Sequence, residues 1–307
     1  MPVPDKLSNL DSFLADRESA YDLKAGTEAH IEWQPRRKYK QTEYALVYLH
    51  GFRASHPEGH PVHRNIARFL GANLYLSRLQ EHGLHADYPL QNLTEEKLLA
   101  SARFALSIGQ KIGQKVVLMG TSTGGSLALY LAAQPANRSK ISGLILYSPL
   151  IQFYGVKEKL LQHGLPRTVA KLLTRRSCLV KKPPVTDAEH AIWNSAYALR
   201  GVLALGQFVD HHMKDELFQN VNCPVFTGFY YKNKRQQDKV VSIKAIRNMI
   251  SNIGTSSAKV LFSNFPAAKS HVICNSLVSK SVDNVIRKTK HFLKFVALHK
   301  DRPRPSG

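Results

Sequence analysis

Strand-length apolar runs alternate with helix-length amphipathic stretches along most of the chain. This is the rhythm of βαβ units closing into a largely parallel sheet. EAHIEWQ (28–34) and YALVYL (44–49) read as strands, with the charged RRKYKQ between them as a turn. Residues 61–70 suit a helix, with Pro61 in its first turn and Gly71 just beyond its end. ANLYLSRL (72–79) is the next strand. Thr94 opens a further helix: its hydroxyl can cap the first turn, and Glu95 and Glu96 sit at the positive end of the dipole. Leu98, Leu99, Ala102, Ala105, Leu106 and Ile112 supply its apolar stripe. KVVLMG (115–120) has the continuous apolar run of a buried strand, followed by a helix from about Gly125 to Ala133 and a strand over 143–148.

The alternation breaks between Pro149 and about Asn220. This stretch is helical in pattern, rich in Leu, Lys and Arg, and interrupted at Pro166 and at Pro183-Pro184, so it reads as an insertion. The rhythm then resumes with a strand over 224–231, a helix over 242–252, a strand over 259–262 and an amphipathic helix from about Val282 to His299. The expected organisation is a core of residues 1–148 and 221–307 carrying an inserted helical unit over 149–220. The tail DRPRPSG has nothing apolar to bury and should fray.

The chain of 307 residues is 43% apolar and 21% charged, which excludes a disordered protein. No stretch approaches the ~18 uninterrupted apolar residues of a membrane span. The first residues carry acids and no apolar h-region, unlike a signal peptide. Cys178, Cys223 and Cys274 cannot all pair internally and none has C-x-x-C spacing, which favours a reducing, cytoplasmic setting. Secretion through a leader removed from this sequence is also compatible. The formal charge of +21 implies a strong positive field, attractive to anionic lipid, nucleic acid or acidic substrates, or serving solubility alone. No nucleic-acid-binding motif is present and the bases are dispersed, so no specific nucleic-acid partner is expected.

Candidate chemistry centres on Gly120-Thr121-Ser122-Thr123-Gly124, a G-x-S-x-G turn between a buried strand and a helix. Serine at such an apex occupies a strained conformation. Gly120 and Gly124 let the strand and helix pass closely, and the helix N-terminus points N–H groups at developing negative charge. Acyl transfer needs two backbone donors for the oxyanion. Thr123 follows the nucleophile, and Phe52 lies in the loop His50-Gly51-Phe52, which Gly51 allows to bend back over the sheet edge. His50 precedes the serine and reads as a hydrogen-bonding residue of that loop; Arg53, Ser55 and His56 lie where they could touch substrate. In chain order an acid and then a histidine should follow, each at a strand end. Asp238 lies in the loop after the strand over 224–231, and His271 in the loop after that over 259–262. His291 and His299 lie on the final helix, well past that strand end.

Together these residues resemble the serine esterases and lipases of the α/β-hydrolase superfamily, nearest the monoacylglycerol lipase and lysophospholipase type. The matching pieces are LHGF (49–52), RLQEHGL (78–84), GTSTGG (120–125), DKVV (238–241) and SHV (270–272), over roughly 40–150 and 220–295. The resemblance implies an α/β-hydrolase fold, a Ser122–Asp238–His271 triad, and an oxyanion hole from the Phe52 and Thr123 amides. It implies neither metal nor organic cofactor. Glu81 stands where that family usually has Gly, and GTSTGG differs from its commoner G-H-S-M-G. By the same resemblance, residues 149–220 would be a cap. Lys157, Lys159, Arg167, Lys171, Arg175, Arg176, Lys181 and Lys182 mix there with Leu160, Leu161, Leu165, Leu172 and Leu173. Two readings stand: helices resting on an anionic membrane surface, or helices with leucines inward and lysines in water. Ile192, Trp193, Tyr197, Leu199, Leu203 and Leu205 either line an acyl pocket or belong to the core; Trp193, Tyr197 and Arg53 are the candidate substrate contacts. The expected function is hydrolysis of carboxylic esters, of short- to medium-chain or lysolipid-like type, through an acyl-enzyme on Ser122. An acyltransferase or thioesterase would use the same triad, and a non-catalytic module binding anionic surfaces would use only the charge.

Overall fold

The computed structural model describes residues 2–155, 179–181 and 186–294. Its frame is a seven-stranded sheet in the order β1-β3-β2-β4-β5-β8-β9. The strands are β1 (His30–Glu32), β2 (Thr42–Leu49), β3 (Asn73–Leu76), β4 (Gly113–Thr121), β5 (Ile141–Tyr147), β8 (Val225–Phe229) and β9 (Val260–Asn264). β1 runs antiparallel to β3, and every other pairing is parallel. Alternation along β2 sorts its side chains between two cores. Ala45, Val47 and Leu49 join one apolar cluster, while Leu46 and Tyr48 join the other. Burying each such Val or Leu contributes roughly 1.5–3 kcal/mol.

Helices cover both faces: α1 (Leu10–Glu18), α2 (Val62–Leu70), α3 (Glu95–Ile112), α4 (Thr123–Ala133), α5 (Asp187–Ile192), α6 (Leu199–His212), α7 (Asp215–Gln219), α8 (Ile243–Asn252) and α9 (Val282–Phe292). Thr94 caps α3 by accepting the Lys97 N–H at 3.2 Å, and Gly71 ends α2 in the left-handed region. Every residue of α4 is buried, in keeping with its small and apolar side chains, polar only at the hydroxyls of Thr123, Ser126 and Tyr130. Its first residue directly follows Ser122, two positions earlier than the sequence pattern suggests.

Three short elements depart from expectation. Of the apolar side chains of α1 only Leu10 and Leu14 are fully buried, among charged neighbours, too sparse a stripe to signal a helix. In the excursion between β5 and β8, the described residues include an antiparallel pair, β6 (Leu179–Lys181) and β7 (Ala196–Ala198), where the pattern predicts helix throughout. Three residues are too few for a period of two to register. The basic and leucine-rich positions from Lys157 to Arg176, with Cys178 and Lys182, lie outside the described residues, as does His299. No helix among the described residues is long and apolar enough to cross a membrane.

Arg78, in the RLQEHGL loop, is fixed by a two-pronged ion pair with Glu18 of α1, both side chains being buried. Glu81 has φ +67°, a left-handed position that suits glycine, and Lys97 holds its carboxylate at 2.7 Å.

Candidate active site

The parallel strands end along one edge of the sheet, and the loops that follow them form the site. β4 delivers Ser122, β2 delivers the 50–53 loop, β8 leads to Asp238 and β9 leads to His271. Ser122 sits at φ +54°, ψ −116°, a strained conformation for a residue with a side chain. Its N–H donates to the Tyr147 carbonyl at 2.9 Å, and its own carbonyl accepts from Gly125, Ser126 and Leu150. The apex is therefore pinned on both sides, and the side chain opens onto a cavity of about 420 Å³.

Glycine is compulsory on either side of this turn. A Cβ on Gly120 would lie 2.3 Å from the Gly124 backbone, and one on Gly124 would lie 1.9 Å from the Leu49 carbonyl oxygen. The obstacles are backbone atoms of α4 and of β2, which cannot yield without parting the β2–β4 ladder. Gly124→Ala is accordingly expected to lose about 3 kcal/mol of stability. A urea midpoint indistinguishable from the parent would refute the packing argument.

His271 and Asp238 meet as the chain order suggests. The His271 Nδ1–H donates to Asp238 Oδ2 at 2.6 Å, while Asp238 Oδ1 accepts the amides of Val240 (2.8 Å) and Val241 (3.2 Å). Burial opposes the charge on Asp238, but the His271 charge and bond and the two amides outweigh it and lower its pKa. Burial also opposes charge on His271, yet the Asp238 charge and bond and the Glu58 charge prevail over burial and Arg53, raising its pKa. Ser148 Oγ anchors the histidine backbone by donating to the His271 carbonyl at 2.8 Å.

Ser122, Thr123 and His271 line one cavity with Gly51, Phe52, Arg53, Trp193 and Tyr197. Apolar walls come from Leu150, Phe153, Val180, Leu199, Val202 and Leu205. Leu203 and Ile192 are not among the lining residues, nor are Ser55 and His56. Ser55 Oγ instead donates to the Ile192 carbonyl at 3.2 Å, and His56 is buried against His30 with ring centres 5.0 Å apart. His50 is fully buried: it accepts the Leu79 N–H on Nε2 at 3.1 Å and donates from Nδ1 to the Gly51 carbonyl at 2.9 Å. Both ring nitrogens are committed to holding the loop.

Sequence reasoning missed Glu58. It lies in the turn His56–Gly59, is 2% exposed, and faces the cavity. A glutamate between Pro57 and Gly59 looks like a solvated loop residue. The available signal was an acid close behind an oxyanion-type loop in a strongly basic chain.

No protein-family model matches the sequence, and no curated protein matches it. Solved structures do. A lipolytic enzyme of the metagenome-derived pair LipS and LipT superposes with a TM-score of 0.66 at 14% identity, covering 89% of this chain and 99% of its own. A soluble variant of monoglyceride lipase from Saccharomyces cerevisiae, in complex with a substrate analogue, gives 0.60 at 17% identity, over 89% and 92% of the two chains. Est1E from Butyrivibrio proteoclasticus, with ferulic acid bound, gives 0.57 at 16% identity, over 90% and 99%. With its mostly parallel sheet, flanking helices and near-complete coverage of these neighbours, the chain has the α/β-hydrolase fold.

Proposed function

We propose that this protein is a cofactor-independent serine hydrolase cleaving carboxylic esters through an acyl-enzyme on Ser122. The observation that carries the reading is the 2.6 Å His271–Asp238 bond on the wall of the cavity that the strained Ser122 also lines. The neutral ring, its Nδ1–H held by Asp238, has Nε2 free to accept the Ser122 proton. The serine oxygen attacks the ester carbonyl, and the Phe52 and Thr123 amides receive the oxyanion. Collapse expels the alcohol, which takes the proton from His271. Water then attacks the acyl-enzyme, giving its proton to His271, which returns it to Ser122 as the acid leaves.

The apolar walls and the size of the cavity favour short- to medium-chain acyl or lysolipid-like esters, and the monoglyceride lipase among the structural neighbours supports a lipid-like substrate. On this reading residues 149–220 are the cap. The charge of +21 supports peripheral contact with anionic membrane, testable by sedimentation with neutral and anionic vesicles. The same triad would serve an acyltransferase or thioesterase, which an added alcohol or thiol acceptor would reveal by diverting product.

The decisive experiment uses p-nitrophenyl esters and a fluorophosphonate. The protein should release p-nitrophenol, and the inhibitor should stop release with one adduct mapping to Ser122. Turnover that survives complete Ser122 modification would overturn the assignment.

A further inference from the structure

The 50–55 loop is held from below and from the excursion. Its Gly51 carbonyl accepts the His50 ring at 2.9 Å and the Ala54 N–H at 3.3 Å. Its Gly51 N–H donates to Glu58 Oε2 at 2.7 Å. Tyr48 Oη donates to the same oxygen at 3.3 Å, while Glu58 Oε1 accepts the indole N–H of Trp193 at 3.0 Å. A single buried carboxylate thus joins the oxyanion-type loop to a residue from the chain excursion between β5 and β8. The junction is close to the nucleophile: a Cβ on Gly51 would lie 3.1 Å from Glu58 Oε1 and 3.3 Å from Ser122 Cβ.

Three further bonds tie the same two segments. Asn194 N–H donates to the Arg53 carbonyl at 2.9 Å, Arg53 Nη1 donates to the Asn194 carbonyl at 2.7 Å, and Ser55 Oγ donates to the Ile192 carbonyl. Arg53 itself is held at φ +59°, a conformation that persists only where its surroundings enforce it.

We propose that Glu58 is a positioning residue which fixes the Gly51 peptide, and with it the Phe52 donor, only when Trp193 is docked, so that seating of the 192–194 segment controls oxyanion stabilisation. This rests on the hydrolase reading of Ser122. The physical reason for a carboxylate is the count of acceptors. Gly51 N–H and the Trp193 indole need one acceptor oxygen each, on opposite sides of the group, and an ionised carboxylate offers both. A glutamine of the same volume offers one oxygen and turns an NH₂ toward the other donor.

The groups facing His271 are Asp238, Glu58 and Arg53, so loss of the Glu58 charge also has a titration signature. In Glu58→Gln, kcat on a p-nitrophenyl ester should fall about 50-fold with KM within about threefold, because a displaced donor weakens the transition state more than the ground state. The acid limb of kcat/KM should move to lower pH. Trp193→Phe keeps an aromatic ring at this position and removes the pyrrole part of the indole with its N–H. It should lower kcat about tenfold and leave the acid limb in place. Amide exchange by NMR provides a readout independent of turnover: the Gly51 N–H should be protected in the parent, exposed in Glu58→Gln and partly exposed in Trp193→Phe.

The proposal is overturned if both variants keep kcat within twofold of the parent, or if Gly51 exchange is unchanged in both. A parent without Ser122-dependent turnover would defeat the hydrolase reading, and Gly51 exchange would still decide whether Glu58 couples the two segments.

Discussion

Asp238→Asn should lower kcat about 10⁴-fold with little change in KM or stability. The geometry gives a specific reason. Asp238 Oδ1 receives two backbone N–H groups, and Oδ2 receives the His271 ring. An asparagine satisfies the Val240 and Val241 amides with its single oxygen, which leaves its NH₂ facing Nδ1. That nitrogen must then accept, so the ring proton moves to Nε2, where it blocks transfer from Ser122. The side chain stays in place and the histidine stays oriented, yet in the wrong tautomer. Steady-state kinetics measures the loss. In the parent, kcat/KM should rise through a pKa above the ordinary histidine value of 6.5, because Asp238 and Glu58 favour the protonated ring. A loss smaller than about tenfold in the variant would mean that another group sets the tautomer.

What the sequence makes legible follows from how local each signal is. Ser122 stands out because a buried strand, two obligatory glycines and an apolar helix are contiguous, and the need for Gly124 has its steric cause in the Leu49 carbonyl oxygen, 1.9 Å from where a Cβ would lie. Asp238 and His271 are placed by chain order and strand ends alone, and the structure brings them into contact. For Trp193 and Tyr197 the sequence leaves pocket and core equally open, and each is both: largely buried, with a face on the cavity. Glu58 was invisible because its partners arrive from Gly51, Tyr48 and Trp193, the last 135 positions away in sequence. No pattern within the window of one element encodes that. The short strands β6 and β7 were hidden for the same reason, since only their pairing defines them.

Acidification from pH 7 to 5 should remove about 6 kcal/mol of folding stability, through three buried histidines. Burial first, aided by nearby positive charge, holds His56 and His63 near a pKa of about 3 and His82 near about 4. Above 6.5 these rings are neutral whether the chain is folded or not. Below 6.5 the unfolded chain binds protons that the folded one refuses, so stability falls as pH falls, until the folded pKa values are reached. Each ring removes about 2 kcal/mol between pH 7 and 5, against a typical total of about 5–15 kcal/mol. His50, pushed far down by burial, acts in the same direction. His30 and His271, whose pKa values are raised, act oppositely and moderate the loss. Glu32, held at about 2, keeps its pairing with His30 and Arg64 across this whole window and adds only a small slope at its acid end, where the unfolded carboxyl begins to protonate. The urea midpoint should therefore drop steeply from pH 7 to 5, and a flat midpoint would show that these rings take up protons without unfolding. His63→Gln supplies the control. Its amide can replace the Nε2 donor that now reaches the His56 carbonyl at 3.2 Å, while one titrating ring is lost. The slope of stability against pH should then lessen by about 1 kcal/mol per pH unit, averaged from pH 7 to 5. Because His50 and His56 follow β2, His63 on α2 bonds the His56 carbonyl, and His82 after β3 packs its ring on His50, the first region to loosen in acid should be the wall that carries Phe52.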